Sequence, residues 1–80
     1  MNKDIEKNIG LNVRTIRIAQ KISQEELSAR LQTRGCDITR SALAKIEVGQ
    51  RHLYPDELLQ LKEIFEVSFD DIFYGPKSIS

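Results

Sequence analysis

Cysteine and histidine are nearly absent from this 80-residue chain, which has one of each. A single thiol cannot form a disulfide within the chain or supply the paired cysteines of a zinc site. We interpret Cys36 as a small, partly buried loop residue, with a reactive sensor thiol as the alternative. The lone His52 supports neither a catalytic triad nor a metal cluster, so we expect no cofactor.

The sequence also lacks a long apolar run. No stretch of about 18 apolar residues is present, which excludes a membrane-spanning helix, and the charged residues 1–7 contain no apolar signal core. We therefore expect a cytoplasmic protein without a membrane partner. No glycine-rich loop that could bind phosphate is present. Acidic pairs such as Asp70–Asp71 are explained by favourable positions at helix starts, so we do not expect an enzyme.

Net charge is absent too, because twelve basic residues balance twelve acidic ones. A neutral chain is unusual for a protein that binds nucleic acid, since phosphate contacts dominate that affinity. The charges are, however, unevenly distributed. Residues 30–51 have five basic and two acidic side chains, whereas residues 55–80 have two basic and six acidic ones. This separation suggests one surface suited to an anion and another turned away from it.

Apolar residues recur every three or four positions, which predicts five helices and no strand. The first should run from about residue 4 or 7 to residue 20, the second over 24–34 and the third over 40–48. The fourth should start near residue 55, and the fifth should lie between residues 68 and 75. The residues that signal these boundaries are the N-caps Ser23, Thr39 and Ser68, the first-turn Pro55, and the terminating Gly35 and Gly49.

Apolar pairs flank each N-cap at the spacing of a hydrophobic staple, for example Ile22 with Leu27. On the first helix, the helical period predicts that Ile9, Val13, Ile16 and either Ala19 or Gln20 face the core.

Short connections between these helices predict a compact all-α bundle. We expect residues 1–75 to form one domain and residues 76–80 to form a flexible C-terminal tail. The second and third helices, joined by a turn that contains Gly35, have the layout of a helix-turn-helix.

Four segments resemble, in the same order, parts of the Cro/C1-type (XRE-like) helix-turn-helix family of bacterial and phage transcriptional regulators. They are residues 9–17 (IGLNVRTIR), 22–28 (ISQEELS), 41–51 (SALAKIEVGQR) and 67–73 (VSFDDIF). The resemblance implies a five-helix, lambda-repressor-like DNA-binding bundle. The chain departs from the family in the spacing between Leu27 and Glu47, which is several residues longer than usual. We therefore expect an extended turn over residues 32–38 with Arg34 at its tip, held against DNA or bulging into solvent.

The resemblance implies that the third helix lies in the major groove of double-stranded DNA. The expected base-reading residues are Arg40, Ser41, Ala44 and Lys45. Alternatively, the two basic side chains in this set contact phosphate only or form a solvated face. The expected phosphate contacts are Ser23, Gln24, Thr39, Gln50 and Arg51, with Arg34 and Arg14 as further candidates.

In the family, an arginine of the first helix pairs with the glutamate that ends the third. Arg17 and Glu47 occupy these positions, so the resemblance implies a structural ion pair.

We therefore expect a sequence-specific DNA-binding transcriptional regulator, acting as a repressor and as a homodimer. Apolar C-terminal residues that are candidates for the dimer surface are Phe69, Phe73, Tyr74 and Ile79. The same residues could instead close the core of one monomer. The alternative function is an antitoxin or adaptor-type protein-interaction module on the same fold, with the acidic C-terminal half as its binding surface.

Overall fold

The computed structural model describes residues 3–76, in which the secondary structure is entirely helical. The five helices are α1 (Lys3–Ala19), α2 (Gln24–Thr33), α3 (Arg40–Glu47), α4 (Pro55–Phe65) and α5 (Phe69–Tyr74). The prediction of a five-helix all-α bundle is confirmed, with helix ends close to those expected. Residues 77–80 of the predicted tail, including Ile79, lie outside the described residues. None of the described helices combines the length and hydropathy needed to span a membrane.

Side-chain caps begin three of the helices, as their residue types predict. The hydroxyl oxygen of Ser23 accepts a hydrogen bond from the backbone N–H of Glu26 at 3.0 Å. Thr39 accepts one from the backbone N–H of Ala42 at 3.1 Å. The α5 cap, Ser68, accepts one from the third residue of its helix, whose carboxylate in turn accepts the Ser68 N–H. Each cap satisfies a backbone donor that the helix itself leaves without a partner.

Glycines in the left-handed region follow α2 and α3. Gly35 has φ +86° and Gly49 has φ +78°, a conformation that costs glycine little because it has no Cβ atom. Helix α4 ends differently, with Glu66 in the left-handed conformation at φ 57°. The end of α4 is therefore not signalled by any glycine.

The core is formed by side chains from all five helices and from the turns before α2 and α3. Its residues with 0% exposure are Val13, Ile16, Leu27, Leu31, Ile38, Leu43, Leu61 and Ile72. The expectation that Ala19 or Gln20 faces this core is wrong, since both side chains are exposed. The α1 helix ends at Ala19, and the Gln20 amide instead donates to the carbonyl oxygen of Phe65 at 2.8 Å.

The extended turn between α2 and α3 is packed against the bundle. Cys36 and Ile38 within it are buried. The Ile38 carbonyl oxygen accepts hydrogen bonds from the Ser28 hydroxyl at 2.7 Å and the Gln32 amide at 3.2 Å.

Burial raises the pKa of the Cys36 thiol, and nearby carboxylates add to this effect. A buried thiol that resists ionisation fits a packing role better than a sensor role.

Helices α1 and α3 approach closely at Gly10. A Cβ atom at this position would lie 2.0 Å from the carbonyl oxygen of Ile46 in α3. Because a backbone carbonyl cannot move aside cheaply, only glycine fits between the two helices here. This contact places the C-terminal half of α3 directly on α1.

Gly10→Ala should therefore lower the free energy of unfolding by about 1–3 kcal/mol, the usual cost of overpacking. Urea denaturation measures this change. Asn8→Ala, at an exposed position of the same helix, is the matched control and should not lower stability, because alanine favours helix formation. Equal stability of Gly10→Ala and the wild type would contradict the close approach of α1 and α3.

Candidate nucleic-acid interface

Helix α3 has one face in the core and the other in solvent. Leu43 and Ile46 are buried on the inner side. Its outward-facing residues are the exposed Arg40, Ser41 and Lys45, with the partly buried Ala44 beside them. The Thr39 cap fixes where this helix begins, and therefore which side chains occupy its first turn. The outer face offers donors, a hydroxyl and a methyl group, which are the groups that read base edges in the major groove.

The basic residues predicted to contact DNA fall into two groups in the structure. Within residues 3–76, no hydrogen bond or ion pair engages the exposed side chains of Arg14, Arg40 and Lys45. Arg34 and Arg51, in contrast, are paired with carboxylates of α4. Basic side chains without an internal partner are therefore exposed on α3 and α1, although the chain is neutral overall.

Arg17 and Glu47 form a buried ion pair between α1 and the end of α3. The Arg17 Nε donates to Glu47 Oε2 at 2.7 Å, and its Nη2 donates to Oε1 at 3.1 Å. The side chains are only 10% and 2% exposed. The remaining Arg17 nitrogen, Nη1, donates to the carbonyl oxygen of Ile22 at 2.9 Å. One guanidinium thus joins α1, the turn before α2 and the end of α3.

Gln24, the first residue of α2, joins the same cluster. Its Nε2 donates to Glu47 Oε1 at 3.0 Å. Sequence reasoning assigned Gln24 to phosphate and missed this contact. No local pattern signals it, because the partners are 23 residues apart.

Arg51, in the turn after α3, forms a two-pronged pair with Glu57 in α4. The two Nη atoms donate to the two carboxylate oxygens at 2.9 and 3.1 Å, and the guanidinium lies 5.8 Å from the centre of the Tyr54 ring. Burial opposes ionisation of Glu57, but hydrogen bonds from Arg51 and from the Tyr54 N–H outweigh it and lower the pKa of that carboxyl. Arg51 therefore anchors the turn after α3 to α4.

The side chain of Arg34, in the turn after α2, reaches two polar residues of α4. Its Nη1 donates to Gln60 Oε1 at 3.0 Å and to Glu63 Oε1 at 3.2 Å, with both ion-pair partners well exposed. The tip of the extended turn is therefore held against α4 through an exposed ion pair, and the Arg34 side chain remains accessible to solvent.

The other predicted phosphate contacts lie at helix boundaries. Ser23 and Thr39 cap α2 and α3, and Gln50 is exposed just after α3. His52 contacts the Glu6 carboxylate of α1 through Nδ1, a partner that sequence reasoning also missed. Across residues 3–76, no cluster of potential metal ligands is present.

The profile of the helix-turn-helix family, of the Cro/C1 (XRE) type, matches residues 13–72, which is most of the chain. The chain belongs to this family. The match begins in α1, ends in α5 and includes the extended turn before α3. No curated protein and no solved structure matches the chain. As a member of a DNA-binding helix-turn-helix family, the protein is a DNA-binding regulator in general terms.

Replacing Glu47 by alanine should leave the Arg17 charge buried without a partner. We expect a loss of about 3–5 kcal/mol in the free energy of unfolding, the usual cost of breaking one side of a buried pair. Thermal or urea denaturation measures it. Glu63→Ala, which removes the exposed partner of Arg34, is the control and should cost about 0–1 kcal/mol. Similar losses for the two variants would contradict the buried character of the Arg17–Glu47 pair.

Acid should weaken the Arg51–Glu57 anchor. Because the pKa of folded Glu57 is lowered from its ordinary value of 4.5, the ionised carboxylate adds stability at neutral pH. This contribution is lost as the pH falls below that value and through the folded-state pKa. The stability difference between the wild type and Glu57→Gln, measured by denaturation at several pH values, should be constant near pH 7 and shrink on acidification. Other carboxylates titrate in both proteins, so a difference that stays constant down to pH 3 would contradict the lowered pKa.

Proposed function

We propose that this helix-turn-helix protein is a sequence-specific repressor that reads the major groove of double-stranded DNA with α3. The observation that supports this most strongly is the exposed face of α3. Its basic and hydroxyl side chains have no intramolecular partner among the described residues, while its opposite face is in the core. Donors left free on a rigid, capped helix are suited to binding acceptors outside the protein.

The base contacts follow from the chemistry of the outer face. Arg40 and Lys45 can donate to guanine O6 and N7, Ser41 can contact either type of base, and the Ala44 methyl can contact the methyl group of thymine. Each bidentate contact of this kind contributes about 1–3 kcal/mol of discrimination against a wrong base.

Phosphate contacts would orient α3 on the duplex without reading sequence. The proposed contacts nearest α3 come from the N-terminal ends of α2 and α3, where backbone N–H groups favour anions, and from Gln50 after α3. The proposed residues are Ser23, Gln24, Thr39, Gln50 and Arg14. Arg34 and Arg51 would contribute less to phosphate binding, because their guanidinium groups already pair with carboxylates of α4.

A homodimer on a two-fold symmetric site would compensate for the neutral net charge of a single domain. Candidate contacts are on α5, where Tyr74 is 79% and Phe69 is 40% exposed, with Phe73 partly buried between them. Exposed apolar side chains on one helix are suited to burial against a second copy of the chain.

Selection of bound sequences from random DNA should yield a defined site, and Arg40→Ala with Lys45→Ala should abolish the preference for it. Affinity for the selected site and for a scrambled duplex, measured in parallel by gel shift at fixed salt, reports the preference. Arg30→Ala removes an exposed arginine of α2 and is the matched control, expected to leave the preference unchanged.

A wild-type protein that binds no duplex DNA would contradict the proposal and favour the protein-interaction alternative. An unchanged preference in the double variant would show that the base-reading residues lie elsewhere.

A further inference from the structure

An outward-facing stripe of α1 alternates basic and apolar side chains. It consists of Lys7, Leu11, Arg14 and Ile18, and we call it the α1 stripe. Its members follow one another at helical spacing and therefore lie on one face of the helix. Leu11 is 50% and Ile18 is 49% exposed. Within residues 3–76, no hydrogen bond or ion pair engages Lys7 or Arg14, so the bundle itself leaves this stripe uncovered.

The spacing of the α1 stripe favours a helix as its partner. Steps of four and three residues alternate along it, which is the period of side chains that meet a second helix along a shared seam. Leu11 and Ile18 would lose exposed apolar surface when such a helix packs on them, and this burial stabilises a complex. A phosphate backbone offers no comparable apolar surface, so DNA contacts do not explain the two apolar members.

The charge of the α1 stripe selects the chemistry of that helix. Residues 7–21 contain four basic side chains and no acidic one, and the buried Arg17 among them is already paired with Glu47. A second copy packed stripe against stripe would bring like charges together, which is unfavourable. An acidic helix would instead place carboxylates beside Lys7 and Arg14, where charge-assisted hydrogen bonds can form.

We propose that the α1 stripe is a docking surface for an amphipathic helix of another protein, in which acidic and apolar residues alternate at the same spacing. Leu11 and Ile18 supply the apolar contact, and Lys7 and Arg14 select an acidic partner and fix its register. This surface is separate from the outer face of α3. It shares only Arg14 with the phosphate contacts proposed above.

Two designed peptides test the charge preference. One has three EQAALAQ repeats, which place glutamate and leucine alternately at the spacing of the stripe in a sequence of strong helix formers. The other has three KQAALAQ repeats, so that only the charge is reversed. Fluorescence anisotropy should show that the wild type binds the glutamate peptide at least about tenfold more tightly than the lysine peptide. The double variant Lys7→Glu with Arg14→Glu should have the opposite preference.

The apolar contact is tested by a second double variant. Leu11→Gln with Ile18→Gln should weaken binding of the glutamate peptide by at least about tenfold, because less apolar surface is buried in the complex. Leu59→Gln changes a leucine of α4 that is 42% exposed, and this matched control should leave binding unchanged. All the substituted side chains are exposed, so the variants should keep the wild-type circular dichroism spectrum.

Three results would overturn the proposal. The first is a wild type that does not bind the glutamate peptide, or that binds both peptides equally. The second is an equal loss of affinity for duplex DNA in the Leu11→Gln, Ile18→Gln variant, which would assign the stripe to DNA. The third is a wild-type dimer that dissociates in that variant during analytical ultracentrifugation, which would assign it to a second copy. A wild type that binds the glutamate peptide but no DNA would contradict the proposed function and support this inference.

Discussion

A buried carboxylate at the end of α3 is the constraint on which the arrangement of the first three helices depends. Glu47 accepts three hydrogen bonds, two from Arg17 and one from Gln24. A charge this deeply buried is tolerated only where its oxygens are paired and hydrogen-bonded. The end of α3 must therefore stay next to both α1 and α2. With Gly10 allowing α1 to meet the α3 backbone, the outer face of α3 can point only away from the bundle.

The neutral net charge of the chain becomes intelligible once the ion pairs are known. Acidic side chains of α4 are occupied by Arg34 and Arg51, and both arginines hold turns that flank α3. The charges that remain without an internal partner on α3 are positive ones, on Arg40 and Lys45. A protein can thus present a local field suited to an anion although its total charge is zero, because paired charges largely cancel at a distance.

The extended turn before α3 illustrates how a longer connection can keep a helix in place. Its backbone is tied to α2 through the Ile38 carbonyl oxygen, which accepts from Ser28 and Gln32. Cys36 and Ile38 add apolar contacts with the core. Thr39 follows immediately, so α3 starts from an ordered residue and not from a loose loop. Ordering these residues costs conformational entropy, which the buried side chains and the hydrogen bonds to the Ile38 carbonyl oxygen offset.

The sequence by itself determined the starts of α2 to α5 and the all-α fold, since caps, staples and apolar spacing act over three to five residues. The ends of α2 and α3 were predictable for the same reason, whereas the end of α4 was not, because Glu66 carries no local signal for φ 57°. Only the tertiary structure decided the partners of Gln24, Arg34 and Arg51. A long polar side chain reaches whichever acceptor the packing of distant elements brings near, and no short-range pattern encodes that distance.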